Sequence, residues 1–437
     1  MRYHLVTLGC PKNTVDSERF ERLLAARGAI PTVRPSDADL LIVNTCGFID
    51  AAKEESIDAI LRLAAIKKPG QRLIAAGCMT QLYGDEIARE IPEIDAVFGV
   101  EQWEAVAALA GDVVEAPYDI PVTSSPMVHR TSAYLKIADG CNAPCTFCII
   151  PQIKGRLTSA SAGQIVAEAR RLVAEGAKEL VLVAQDSTAW GEDLGLRDAL
   201  ADLLRLLSES LPERPWLRVM YAYPSRVTPK LIATMAALPN VAHYLDMPLQ
   251  HGSEAVLARM RRPRNLARVR ETIAALRAAM PDIALRTSII VGFPGETEAE
   301  FEELQAFVRE MRFDHLGVFT FSPQEGTPAA AMPDQVPEKV KRRRRNMLME
   351  LQQQISREIL QQQIGRELDV LIEAVSEQRR GEQAISVGRS YRDAPEVDGV
   401  TLVRGRFAPG TIVRARVTQA LAYDLVAEPV ATPVGAS

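Results

Sequence analysis

Apolar and polar positions follow three successive rhythms along this chain. In the first hundred residues, short apolar, β-prone runs alternate with longer stretches whose apolar residues recur at helical period. HLVTLGC, DLLIVNTC and RLIAAGC each read as a buried strand stopped by Gly or Asn, with helices over 17–27 and 51–66 between them. Such repetition predicts a parallel sheet with right-handed crossovers. The alternation resumes with strands over 133–138, 180–186, 217–224, 243–250, 285–295 and 315–323, and helices over 160–174, 197–210, 229–238, 265–280 and 298–311. Six βα units predict a partial barrel rather than a closed eight-fold one. A long helix over 338–364 follows. Beyond it the pattern changes to five short strands (LDVLIEAV, AISVGR, VTLVRG, TIVRARVTQA and DLVAEP) separated by turns, as in a small OB-like barrel.

The rhythm lapses over PYDIPVTSSPMVHRT (117–131), rich in Pro, Ser and Thr and read as a linker. The expected fold class is therefore α/β: an N-terminal parallel α/β sheet domain (1–116), a central partial (βα)6 TIM-like barrel (132–365) and a C-terminal small all-β OB-like barrel (366–433). A hydrophobic share of 47% with 24% charged residues allows real cores and excludes a disordered or fibrous chain. The net charge of −5 disfavours a protein that grips nucleic acid through bulk charge. MRYHLVTLGC lacks the apolar centre and cleavage site of an export signal, and no stretch approaches the ~18 apolar residues of a membrane helix. A cytoplasmic protein with no membrane partner is expected. In a reducing cytosol structural disulfides are not, so six cysteines need another explanation.

Cys10, Cys46 and Cys78 each end one of the first three strands. Strand ends of a parallel sheet share one edge, where ligands bind, so the three can converge despite separations of 36 and 32 residues. One such cysteine would be read as a small buried residue; three of three points to a ligand set. Soft thiolates suit zinc or iron–sulfur clusters. Three of them, with no obvious His or fourth Cys, suggest a cluster whose last iron keeps an open position.

The second trio lies in DGCNAPCTFCIIP (139–151), where Cys141, Cys145 and Cys148 have the spacing C-x3-C-x2-C. One loop of that spacing can wrap three irons of a cubane cluster and leave the fourth open. Zinc motifs usually come as two C-x2-C pairs, and no second pair follows. A thioredoxin-type pair at Cys145 and Cys148 leaves Cys141 and the aromatic Phe147 unexplained. The pattern points to a cluster loop that binds S-adenosylmethionine (SAM). At the mouth of the expected barrel, beside this loop, fall Gln185, Asp186, Gln250 and the 292–295 turn. Phe147, Gln185, Gln250, Gly292 and Pro294 are the expected cofactor contacts, set against a reading of the tips as ordinary turn and cap chemistry. No Ser-His-Asp or Cys-His constellation is evident, and all five His can be ordinary polar residues.

CNAPCTFCIIP resembles the cluster loop of the radical-SAM methylthiotransferases, and LGCPKNTVDSE, VNTCGFI and AAGCMTQ resemble the three Cys motifs of that family's N-terminal domain. The resemblance covers essentially the whole chain. AQDSTAWG, LDMPLQHGSEAVLARMRRP and GRSYRDAPEVDGV look like the branch that modifies a ribosomal protein rather than tRNA. Two departures are Lys154, where the family more often places Arg, and Trp190, where a Tyr is common.

The resemblance implies a transferase with two 4Fe–4S clusters. The Cys141/Cys145/Cys148 cluster would bind SAM and reductively cleave it to methionine and a 5′-deoxyadenosyl radical. That radical would take hydrogen from the β-carbon of an aspartate in the twelfth small-subunit ribosomal protein. The Cys10/Cys46/Cys78 cluster would present sulfur, methylated by a second SAM, giving 3-methylthioaspartate. All six cysteines would thus be both metal ligands and catalytic. Chemistry at an unactivated C–H bond requires such a cofactor. An electron donor such as flavodoxin or ferredoxin is implied, and the lack of a coiled-coil seam makes a monomer the default. The alternatives are the same chemistry on a tRNA adenosine, or a non-catalytic iron–sulfur or zinc protein that binds RNA.

The C-terminal barrel is by resemblance a TRAM domain. From 368 to 437 it carries nine acidic residues and eight arginines, and its acidic run (Asp393, Glu396, Asp398) is expected to suit a basic ribosomal protein. KVKRRRRN (339–346) is read as a solvated helical face, with a site for ribosomal RNA as the sharper alternative.

Overall fold

The computed structural model describes residues 1–111, 131–376 and 384–430. The expected linker, apart from Thr131, and the end of the last domain beyond 430 lie outside the described residues. The N-terminal domain comprises β1 (Arg2–Thr7), α1 (Pro11–Ala25), β2 (Ile30–Pro31), β3 (Leu40–Thr45), α2 (Asp50–Ile66), β4 (Arg72–Gly77), α3 (Cys78–Glu90), β5 (Ala96–Phe98) and α4 (Trp103–Ala108). Its sheet runs β2-β1-β3-β4-β5, every pair parallel. β3 is buried along its whole length, with separate apolar clusters against its two faces. That is why it reads as an unbroken apolar run rather than an alternating one. β2 and β5 span only two and three residues and leave no periodicity to read.

The central domain comprises β6 (Ser132–Lys136), β7 (Ala138–Asp139), α5 (Ile150–Lys154), β8 (Thr158–Ser159), α6 (Ala162–Ala174), β9 (Glu179–Val183), α7 (Leu200–Ser210), β10 (Trp216–Val219), α8 (Pro229–Ala237), β11 (Val241–Asp246), α9 (Glu254–Arg259), α10 (Leu266–Ala279), β12 (Ala284–Val291), α11 (Glu298–Met311) and β13 (His315–Thr320). Six strands pair in parallel as β6-β9-β10-β11-β12-β13, the open barrel expected from six βα units. Capping boxes start two of its helices: Ser161 with Gln164 at α6, and Thr297 with Glu300 at α11. The outer core fills the space between strands and helices. An inner cluster, with Tyr134, Val181, Met220, Tyr244 and Ala284, also takes in Ala394 of the C-terminal domain.

Helix α12 (Glu338–Gln361) leads into β14 (Glu367–Val375), β15 (Ile385–Arg389), β16 (Thr401–Arg404), β17 (Ile412–Ala420) and β18 (Leu425–Pro429), a closed five-stranded barrel. Among the described residues, no helix is long and apolar enough to cross a membrane.

Two charge readings are corrected in part here. Lys339, Arg342, Arg343 and Arg345 of the basic run are exposed, as a solvated face would be, but Lys341 and Arg344 turn inward. Lys341 is buried and donates to Phe321 O at 2.7 Å, Arg344 is buried against Glu296, and Arg343 pairs with Glu298. Lys341 and Arg344 thereby clamp α12 to the barrel. In the acidic run the Asp393 and Asp398 side chains turn inward, while Glu396 stays exposed. Glu396 accepts from the Tyr134 hydroxyl, and Asp398 accepts from Tyr244 and pairs with Arg286. Asp393 is buried beside Ser390. Charge counted along a sequence cannot separate a solvated residue from one whose partner lies in another domain.

A candidate active site between two cysteine triads

β1, β3 and β4 are neighbours in the sheet, so the residues that follow them stand side by side at its C-terminal edge. Cys10 is the N-cap of α1, Cys46 follows β3, and Cys78 opens α3. Asn13 ties their loops together. Its Nδ2 donates to Leu8 O at 2.9 Å and Thr45 O at 3.2 Å, and its Oδ1 lies 3.5 Å from Cys78 Sγ. Ser56 Oγ fixes Cys46 by accepting its backbone N–H at 2.9 Å. Gly9 adopts φ +96°, and a Cβ there would come within 2.8 Å of Cys46 Sγ. Only glycine allows the first loop to approach the second cysteine so closely.

The second triad sits in the loop after β7. Cys141 N–H donates to Gly155 O at 3.2 Å, closing the loop base. Thr146 anchors its far side through Met260 O and Arg259 O. Arg262 Nη1 is 3.9 Å from Cys145 Sγ, and its guanidinium lies over the Tyr223 ring at 4.1 Å.

The elements that carry the two triads pack on one another. α1 packs on β6 and α3 on α5. Cys78 belongs to the same buried apolar cluster as Val100, Ile153 and Ile149, the residue that follows Cys148. Asp16 of α1 pairs with Lys136 and, at 2.7 Å, with Lys154; Lys136 also reaches Asp139 at 2.8 Å. Burial alone would raise the Asp139 carboxyl, but Lys136 and Lys154 outweigh it and hold it at about 2. Lys12, two residues after Cys10, projects to the barrel mouth, its Nζ 3.8 Å from the Tyr221 ring centroid.

Burial pushes the thiols of Cys46 and Cys141 up, and those of Cys78 and Cys148 up to about 12. Such thiols ionise when they ligate a cationic metal centre, which reverses the penalty. All six cysteines are free of disulfides, and among the described residues no three His, Cys, Asp or Glu are drawn together as tightly as the ligands of a single ion. The donor set fits a multi-iron cluster at each triad better than one zinc.

The other expected contacts divide. Gln185 faces the site: its Nε2 donates to Asp139 Oδ1 at 2.8 Å, while its buried Oε1 has no partner. Gln250 takes φ +79° and bridges to β12 through Ser288 O and Ile290 N–H. Phe147 stacks edge-on against Phe293, with centroids 6.5 Å apart. Pro294 is buried, and Gly292, at φ +72°, lies where a Cβ would meet Lys341 Cγ at 2.3 Å. Lys12, Asp16, Tyr221, Tyr223 and Arg262 escaped the sequence reading. For Lys12 the available signal was its place beside Cys10; the others had none stronger than lying in motifs.

Residues 2–99 match the family described as Uncharacterized protein family UPF0004, 135–308 the Radical SAM superfamily and 364–430 the TRAM domain. The chain is 48% identical to the ribosomal protein uS12 methylthiotransferase RimO of Roseiflexus sp. (strain RS-1), over 99% of this chain and 98% of that protein. It is also 48% identical to the protein of the same name from Chloroflexus aurantiacus, over 98% and 99%. Among solved structures it resembles the radical S-adenosylmethionine methyltransferase TsrM from Kitasatospora setae, solved with cobalamin and a 4Fe–4S cluster bound. There the TM-score is 0.55 at 13% identity, covering 75% of this chain and 77% of that one, a likeness of fold.

Proposed function

Since the chain belongs to the RimO family of radical-SAM methylthiotransferases, we propose that it places a methylthio group on the β-carbon of an aspartate in ribosomal protein uS12. The reading is supported above all by the one buried apolar cluster that holds Cys78 of the first triad together with Ile149, the residue after Cys148 of the second. Cys141, Cys145 and Cys148 would hold one 4Fe–4S cluster, and Cys10, Cys46 and Cys78 the other. When bound, these groups and SAM supply the radical that removes a hydrogen and the sulfur that replaces it.

The chain's own residues hold, align and shield. Ile149, Ile153, Val100 and the partly buried Leu82 form the apolar wall between the triads and exclude water from it. Asp16, gripped by Lys136 and Lys154, fixes the N-terminal domain over the barrel mouth, so that both triads address one carbon. Asn13 sets the mutual position of the first three cysteines. The electron is read as coming from a low-potential carrier such as flavodoxin or ferredoxin, and the enzyme as a cytoplasmic monomer.

Mass spectrometry of uS12 and of bulk tRNA from a deletion strain tests the substrate. The expected result is loss of the methylthio mass from uS12 alone; loss only from tRNA overturns the reading. Anaerobic reconstitution tests the chemistry, since a colourless, zinc-loaded chain that never cleaves SAM would belong to a binding protein.

A further inference from the structure

We infer that Lys12 receives the side-chain carboxylate of the substrate aspartate and thereby selects aspartate over a neutral residue; the inference rests on the uS12 reading above. The carbon to be modified is bonded directly to that carboxylate, so the charge must enter the same interior as the two triads. A carboxylate brought out of water needs a cation or several donors to offset its lost hydration.

The cations around the barrel mouth are largely committed. Lys136 and Lys154 pair with Asp16 and Asp139, Arg226 with Asp186 and Glu192, and Arg286 with Asp246 and Asp398. Arg262 stands beside Cys145 and donates to Pro248 O. Among the described residues, no carboxylate oxygen lies within ion-pair distance of Lys12; Asp139 and Asp246 act on it from farther off and are themselves paired with Lys136 and Arg286. Its ammonium rests instead on the face of Tyr221, 3.8 Å from the ring centroid. A cation–π contact holds a lysine in place while leaving its N–H donors free for an anion.

The platform beneath it is rigid. Tyr221 adopts φ +61°, a strained conformation for a bulky residue. Its N–H donates to Asp246 Oδ2 at 3.2 Å, and its carbonyl accepts from Ser187 N–H at 3.0 Å. Asp246 is in turn gripped by Arg286. Lys12 is thus held on a fixed ring, two residues from Cys10, and a carboxylate seated on it would bring its neighbouring carbon to the sulfur-bearing side of the interior.

The test uses reconstituted enzyme, as wild type, Lys12→Met, Lys12→Gln and Lys12→Arg. The probes are a synthetic uS12 peptide spanning the target aspartate and the same peptide with Asn there. Peptide binding is followed by fluorescence anisotropy, with iron content and SAM affinity measured alongside. Wild type is expected to prefer the Asp peptide, and Met and Gln to lose about ten- to hundredfold in affinity for it and almost none for the Asn peptide. Arg should restore most of the preference, with iron content and SAM affinity unchanged throughout. A preference that survives in Met and Gln overturns the assignment, as does equal loss for both peptides or a loss of SAM affinity instead. Failure of the substrate reading looks different: wild type then methylthiolates tRNA and binds neither peptide.

Discussion

Arg389, at the end of β15, donates to Glu179, at the foot of β9, across 2.7 Å between two domains. Glu179 is fully buried and also takes Arg218 Nε at 2.6 Å and Ser132 Oγ at 2.7 Å. The segment GRSYRDAPEVDGV, whose resemblance pointed to a substrate class, is thus used here to lock the C-terminal barrel onto the base of the central one. Glu179→Gln leaves two buried arginines undercompensated and is expected to cost about 3–5 kcal/mol. Chemical denaturation of the two proteins checks this, and a loss below about 0.5 kcal/mol, the scale of an ordinary surface change, would remove the lock from the account.

The same residue makes a pH prediction. Burial alone would raise the Glu179 carboxyl above its ordinary 4.5, but Arg218 and Arg389 prevail and bring it to about 2. A carboxyl depressed in the folded state stabilises fully above its unfolded pKa and loses that contribution as pH falls toward the folded one. The gap in stability between wild type and Glu179→Gln should therefore stay constant near neutrality and narrow from about pH 4.5 downward. Unfolding midpoints across a pH series would show it; a gap that widened on acidification would contradict the sign.

The two triads lie on different domains, so removing one should spare the other. Cys78→Ala is expected to keep SAM cleavage and lose methylthiolation, with about half the iron retained. Cys148→Ala should lose both activities. Iron assay with chromatographic detection of 5′-deoxyadenosine and of the modified substrate distinguishes them. Equal loss of SAM cleavage in two folded proteins would count against separate jobs.

Asp16 joins the domains through two lysines. Asp16→Asn should leave Lys154 with only Asp139, 3.5 Å away, and loosen the docking of α1 on the barrel mouth. SAM cleavage should persist while its coupling to product falls severalfold. The ratio of 5′-deoxyadenosine to methylthiolated product is the measurement, and an unchanged ratio would sink the idea.

Gly292 takes φ +72°, and its missing Cβ makes room for the Lys341 stem. Gly292→Ala combines a left-handed backbone, worth about 1–2 kcal/mol, with a steric clash. Lys341→Ala in the same chain should remove the clash and leave the backbone cost. In a thermal-unfolding cycle the double variant is expected to be less destabilised than the sum of the singles; strict additivity would rule out the contact.

Much of the fold was legible because its signals are local. Strand period and turn residues identified the three cysteine-bearing strands, all six strands of the open barrel and the five of the last domain. β2, β5, β7, β8 and the short α4, α5 and α9 were missed because two to six residues carry too little pattern, and the 13-residue α3, broken at Tyr83 beside Gly84, was missed as well. The placement of Cys10, Cys46 and Cys78 at neighbouring strand ends was legible, because a parallel sheet delivers every strand end to one edge.

What the chain order alone determined, then, was two sets of three thiols and the scaffold that presents each. Tertiary structure decided which charges face which. It buried the Asp393 and Asp398 side chains, bonded Glu396 to Tyr134, buried Lys341 against Phe321 and Arg344 against Glu296, and left Lys12 on Tyr221 with no carboxylate of the described residues at ion-pair distance. The reason is physical. Secondary structure depends on neighbours a few residues away, whereas the fate of a charge depends on desolvation and on partners that can be more than 200 residues distant, as with Arg389 and Glu179.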